Sequence, residues 1–115
     1  MAHEASITEA LVKMVAETAS QRKAIQVKEV NLVVGELTGY MADSLRFYYD
    51  IYAQELPCKG ARLNVEYVKP TMVCDACKLE FERQRFSFDC PQCGKPARPG
   101  NRGEEFFIRD LVIES

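Results

Sequence analysis

Cys74-Asp75-Ala76-Cys77 and Cys90-Pro91-Gln92-Cys93-Gly94 are separated by the twelve residues 78–89 in a chain of 115. That gap is long enough for a short hairpin to bring the two pairs together. Two residues between cysteines let both sulfurs reach one ion from a tight turn, and Gly94 allows the close backbone approach such a turn needs. Four thiolates at about 2.3 Å fill a tetrahedral Zn²⁺ shell and leave no position for water or substrate, so the spacing predicts a structural zinc site on Cys74, Cys77, Cys90 and Cys93. The alternative is a pair of redox dithiols. It needs an exposed, low-pKa thiol at a helix amino terminus beside a βαβ unit, and neither pair has that setting.

Around the quartet, residues 72–99 hold too few apolar side chains for a core, and a metal must supply what burial cannot. Upstream, Arg62 to Lys69 alternates, with Leu63, Val65 and Tyr67 facing one way, and predicts a half-buried strand closed by Pro70. Downstream, Pro99, Gly100 and Gly103 mark the exit before a strand over Phe106 to Ile113. Further back, Val27 to Val34 is β-branched, with Val30, Leu32 and Val34 on one face, and Gly35 and Gly39 punctuate a turn.

Two helices complete the reading. Ile7, Ala10, Leu11, Met14, Val15 and Thr18 form the apolar stripe of the first. Ser6 and Glu9 make a capping box, so this helix is expected to start just after residue 6, behind a free amino-terminal arm. In the second, Leu45, Tyr48, Tyr49 and Tyr52 make the stripe, Phe47 and Ile51 broaden it, and Asp43 or Ser44 is the cap. Cys58 reads as a small buried hydrophobe. The fold class is α+β: two helices packed on a small three-stranded sheet, with an inserted zinc-ribbon-like domain. The expected domains are residues 1–70, completed by a strand in 101–115, and a zinc-binding domain over 71–100. Strand order is left open.

Fifteen Lys and Arg against seventeen Asp and Glu give a net charge of −2. A zinc tetrathiolate makes the chain more negative still, and this removes the broad positive field that non-specific nucleic-acid binding requires. Lys78, Arg83, Arg85, Lys95 and Arg98 are read as offsetting the anionic cluster. No apolar stretch approaches the roughly 20 residues that cross a bilayer, and Glu4, Glu9, Lys13 and Glu17 interrupt the first twenty positions. With two C-x-x-C pairs suited to a reducing compartment, a cytoplasmic protein without membrane partners is expected.

The chain has one histidine, His3, in Met1-Ala2-His3-Glu4. An imidazole this close to the α-amine can chelate through amine, intervening amide and ring nitrogens without a folded pocket. That planar nitrogen set suits Ni²⁺ or Cu²⁺ and not tetrahedral Zn²⁺. Glu4 adds a carboxylate or an amide nitrogen, and as an ordinary first-turn acid it needs no metal. Amine, amide and imidazole must all lose protons to bind, so mild acid releases the ion.

Together these features resemble the HypA/HybF family of hydrogenase maturation proteins, the nickel-incorporation metallochaperones. The resemblance runs through His3-Glu4 before an amphipathic helix, Val34-Gly35-Glu36-Leu37, Ser44-Leu45-Arg46-Phe47, Gly60-Ala61-Arg62-Leu63, the cysteine quartet, and Gly103-Glu104-Glu105 leading to Leu111-Val112-Ile113-Glu114. It implies a nickel-binding domain carrying His3, where the chelate reading adds Met1, Ala2 and Glu4 as ligands, and structural Zn²⁺ on the quartet. It also implies a maturation-pathway GTPase as partner and delivery of Ni²⁺ to the [NiFe] hydrogenase large subunit, in some relatives to urease machinery, with no enzymatic step. An acidic residue after the first strand is also implicated. Asp43 is the nearest candidate, and helix capping accounts for the same residue. The chain departs from the Met-His-Glu pattern, because Ala2 moves the histidine to third place; removal of Met1 restores a second-position histidine in Ala2-His3-Glu4, and its retention gives four nitrogens from Met1-Ala2-His3. It also lacks the histidines that flank the zinc motif in some relatives. The competing reading is a zinc-ribbon adaptor or nucleic-acid-binding module whose terminal histidine is incidental.

Overall fold

The computed structural model describes residues 2–84 and 87–115, with all of their side chains except those of Ala2 and His3. Its elements are α1 (Ala2–Gln21), β1 (Gln26–Gly35), a 3-10 turn (Glu36–Thr38), α2 (Ala42–Tyr52), β2 (Arg62–Val68), β3 (Thr71–Cys74), β4 (Leu79–Glu82), β5 (Arg98–Pro99) and β6 (Phe106–Glu114). Two three-stranded sheets form, ordered β2-β1-β6 and β4-β3-β5. The middle position of the first goes to β1, whose Val27, Val30, Leu32, Val33 and Val34 are all buried. No described helix is long and apolar enough to cross a membrane.

The chain divides into two compact units. One comprises Met1–Leu32, Tyr40–Glu66 and Phe107–Ser115. Its core joins Leu11, Val12, Val15 and Ala19 of α1 to Leu45, Tyr49 and Ala53 around α2, and to Val27, Val30, Leu32 and Leu63 of the sheet. Cys58 is buried here as a hydrophobe, and the Tyr49 hydroxyl donates to its carbonyl at 2.9 Å. Burial, then the neighbouring Cys58 and Asp50, push the Tyr49 phenol well above its ordinary pKa, so it remains a donor.

The structure departs from four local expectations. α1 begins at Ala2, so Ser6 and Glu9 lie inside the helix rather than at its start. Its buried face is also rotated: Glu4, Thr8, Leu11, Val12, Val15 and Ala19 point inward, whereas Ala10 and Met14 are exposed. The rotation is permitted because both buried polar groups are satisfied. The Thr8 hydroxyl donates to the Glu4 carbonyl at 2.6 Å, and the Glu4 carboxylate accepts the Met41 N–H at 3.2 Å. At α2 the N-cap is Met41, with no side-chain cap of its own. Asp43 is instead fully exposed and paired with Arg46, 3.4 Å away. Phe47 and Ile51 face outward, while Tyr49 is buried and Tyr48 and Tyr52 are half-buried.

The outer face of the first sheet is polar. Asn64 donates to Glu29 and to Asn31, each at 2.8 Å, Asn31 donates to Asp110 at 2.6 Å, and Arg109 pairs with Glu66.

The second unit comprises Val33–Gly39 and Tyr67–Phe106. Gly35 N donates to Glu105 O and Leu37 N to Gly103 O, both at 2.7 Å. A Cβ on Gly35 would lie 2.1 Å from the Gly103 carbonyl, so Gly35 is required by close backbone approach, beyond any role in a turn. In the small sheet β3 pairs antiparallel with β4, from Thr71 opposite Glu82 to Cys74 opposite Leu79, and with β5 at Met72 opposite Pro99.

Candidate metal centre

β3 ends on Cys74, and the chain turns through Cys77 into β4. The second pair sits in a loop closed by an isolated bridge between Asp89 and Pro96 and by Cys90 N donating to Lys95 O at 2.8 Å. Each C-x-x-C is followed by a residue in the left-handed region, Lys78 with φ 56° and Gly94 with φ 75°. The two turns therefore have matching geometry, although only one carries glycine. Gly94 serves this positive φ rather than a close approach, since a Cβ there would meet nothing within 4 Å.

These turns bring the sulfurs of Cys74, Cys77, Cys90 and Cys93 within 4.8 Å of one another. A tetrahedron with arms of about 2.3 Å has edges of about 3.8 Å, and the Cys74 and Cys93 sulfurs stand 3.6 Å apart. Backbone N–H groups point at the cluster: Cys77 N donates to the Cys74 sulfur and Gln92 N to the Cys90 sulfur, both at 3.4 Å. Such bonds favour thiolate over thiol. Donation from Cys93 and Gln92 backbone N–H groups brings the Cys90 thiol down to about 7 against the cost of burial. Cys77 is pushed up to about 12, chiefly through its hydrogen bond with the Cys93 sulfur, as expected where several thiols crowd one point. A divalent cation relieves that crowding, and the donor set fits a closed structural site. Cys74 and Cys90 are buried and Cys93 is exposed. Arg98 holds the first turn by donating from Nε to Asp75 at 3.0 Å, and Arg83 lies over the Phe88 ring at 5.8 Å. Arg85 lies outside the described residues.

The expected nickel ligands are a different matter. Met1 and the side chains of Ala2 and His3 lie outside the described residues. Glu4 is only 2% exposed, and its carboxylate is engaged by the Met41 N–H one residue before α2 begins. Asp43 sits in the first turn of the same helix. Glu4 is thus brought to the end of α2 that carries Asp43, and α1 supplies the side-chain acceptor that α2 lacks. Met41 was not among the expected site residues. The signal for it was the phase of Glu4 with Thr8, Leu11 and Val15, which places the carboxylate on the inward face of α1.

The family model for "Hydrogenase/urease nickel incorporation, metallochaperone, hypA" matches residues 1–113. The chain is similar to the hydrogenase maturation factor HypA of Caldanaerobacter subterraneus subsp. tengcongensis, at 40% identity over 97% of this chain and 99% of that one. It is also similar to the factor of that name from Dehalococcoides mccartyi, at 33% identity over 97% and 94%. The fold resembles the solution structure of the Ni metallochaperone HypA from Helicobacter pylori, with TM-score 0.64 at 21% identity over 97% of each chain. A second solution structure of a HypA protein gives TM-score 0.72 at 22% identity, over 98% of this chain and 97% of that one. The chain therefore belongs to the HypA family of nickel-incorporation metallochaperones for hydrogenase and urease.

Proposed function

We propose that this chain binds Ni²⁺ at its amino terminus and helps insert it into the large subunit of a [NiFe] hydrogenase, working with a maturation-pathway GTPase in the cytoplasm and catalysing no reaction itself. The chelate is built from the Met1 amine, the Ala2 and His3 amide nitrogens and the His3 imidazole, with Glu4 and Asp43 as acidic neighbours. Residues 1–70 with 101–115 form the nickel-binding domain. Residues 71–100 form the zinc domain, in which Cys74, Cys77, Cys90 and Cys93 hold resident Zn²⁺. Zinc suits this shell because four thiolates in a tetrahedron satisfy a d¹⁰ ion, whereas the labile cargo prefers a planar nitrogen set. Urease machinery is a second client by the family description alone.

The observation that carries this reading is the match of the nickel-incorporation family model over residues 1–113. The first amides of a helix have no intrahelical acceptor. Deprotonating the Ala2 and His3 nitrogens for metal binding therefore breaks no hydrogen bond of the helix. Titrating Ni²⁺ into zinc-loaded His3→Ala tests the proposal. High-affinity nickel binding should be lost while zinc content and circular dichroism are retained. A binding curve unchanged by His3→Ala would overturn it and favour the zinc-ribbon adaptor.

A further inference from the structure

The four sulfurs of the quartet are not alike. Cys74 and Cys90 are buried, Cys77 is half-buried and Cys93 is exposed. Residues 91–96 are all exposed, and a Cβ on the adjoining Gly94 would meet nothing within 4 Å, so Cys93 can be approached from solvent. Backbone donors divide the sulfurs in the same way. Cys74 accepts the Cys77 N–H and Cys90 the Gln92 N–H, whereas among the described residues no backbone N–H is donated to the Cys93 sulfur.

These differences set reactivity. The thiolate is the nucleophile in thiol oxidation, and access governs which one reacts. An N–H aimed at a metal-bound sulfur draws off the negative charge with which that sulfur would attack. Cys74 and Cys90 are therefore shielded twice, by burial and by hydrogen bonding, and Cys93 by neither. A partner for it is at hand on the opposite turn, where the Cys74 sulfur stands 3.6 Å away. Cys58, the fifth cysteine, is fully buried in the core around α2 and stays outside this chemistry.

We propose that Cys93 is an oxidation site for hydrogen peroxide, and that the product is a disulfide between Cys93 and Cys74 which dismantles the zinc shell. The Cys93 thiolate attacks one peroxide oxygen: an S–O bond forms, the O–O bond breaks, and hydroxide leaves with the electron pair. The Cys74 thiolate then attacks the Cys93 sulfur: an S–S bond forms, the S–O bond breaks, and a second hydroxide leaves. Two thiolates together give up two electrons, and one peroxide accepts them. Only two thiolates then remain where a closed tetrahedral shell needs four, so Zn²⁺ is released and the fold that depends on it loosens. The proposal rests on the reading of the quartet as a resident zinc site and goes beyond it.

Treating the full, unsubstituted zinc-loaded chain with hydrogen peroxide, in the presence of a chromogenic zinc chelator too weak to strip the untreated chain, tests the site. One Zn²⁺ should be released for each peroxide consumed, and the denatured chain should be lighter by about 2 Da, the two thiol hydrogens. After remaining thiols are blocked with N-ethylmaleimide, fragment-ion sequencing should find the disulfide joining Cys74 to Cys93, with Cys58 carrying the blocking group once unfolded. With dimedone present during oxidation, the trapped sulfenic acid should sit on Cys93. Zinc retained after the peroxide is consumed overturns the proposal. So does a first disulfide that joins any other pair, or a dimedone adduct chiefly on Cys74, Cys77 or Cys90. Zinc content measured before peroxide is added separates the two readings. A chain that takes up no zinc fails the resident-zinc reading and this proposal with it, whereas a chain that holds zinc and loses it through another sulfur fails this proposal alone.

Discussion

The carboxylate of Glu4, near the start of α1, accepts the backbone N–H of Met41, the N-cap of α2, at 3.2 Å. The acid is buried and reaches the positive end of a helix that has no side-chain cap of its own, so one group joins the two helices and offsets the macrodipole of the second. It also couples the segment proposed to carry nickel to the helix that bears Asp43.

Glu4→Ala removes that acceptor and leaves a partly buried N–H without a partner. Urea unfolding should show a loss of about 2 kcal/mol, within the usual range for orphaning a buried polar group. Glu4→Gln keeps a carbonyl oxygen in place and should lose less than half as much. Equal losses in the two variants would mean that the hydrogen bond contributes little beyond side-chain packing.

Tyr49→Phe deletes a buried hydroxyl whose partner is the Cys58 carbonyl at 2.9 Å, and should cost about 1–2 kcal/mol. The phenol's pKa is raised in the folded state, so its contribution is fully present below the unfolded value near 10. It declines as pH rises beyond that value, because the unfolded chain releases the proton first. Between neutrality and pH of about 9.5 the cost of Tyr49→Phe should therefore be constant. Above pH of about 10 it should shrink, and the parent should lose stability more steeply than the variant.

Gly35→Ala places a methyl carbon 2.1 Å from the Gly103 carbonyl, on backbone that is itself hydrogen-bonded through Leu37 N to Gly103 O. Neither segment can yield cheaply. A loss of about 3 kcal/mol, the upper end for overpacking, is expected in chemical denaturation. A loss below about 0.5 kcal/mol would mean that the two segments separate readily.

Cys90→Ser removes a buried sulfur of the quartet that accepts the Gln92 N–H. Zinc content by mass spectrometry should fall to near zero. Amide exchange over residues 71–84 and 87–99 should become fast, because these described residues bury no apolar side chain beyond Met72 and the cysteines. The helical signal should persist, since α1 and α2 draw on a separate apolar core. Collapse of the helices on zinc loss would contradict that division.

Much of the fold was legible because local chemistry and tertiary role coincide. The quartet's spacing called for converging turns, and its four sulfurs do gather. The stripe through Leu45 and Tyr49 gave the inward face of α2, although it overstated Phe47 and Ile51. The phase of α1 was misread because Glu4 and Thr8 look like surface residues. Their burial depends on acceptors and donors that the chain supplies only after folding. The Ser6 and Glu9 capping box was equally persuasive and equally local. It lost to a helix that starts five residues earlier, with Glu4 engaged at the second helix.

By itself, then, the sequence determined the two helices, the three longer strands, the class α+β and the convergence of four thiols, since these follow from periodicity and spacing within short stretches, while the family was legible as a resemblance of motifs along the chain. Only the tertiary structure decided the strand order β2-β1-β6, the inward turn of Glu4 and the approach of Gly35 to Gly103. Each of these is a choice between partners distant in sequence. The free energy that makes the choice comes from hydrogen bonds and packing that do not exist until both partners are in place.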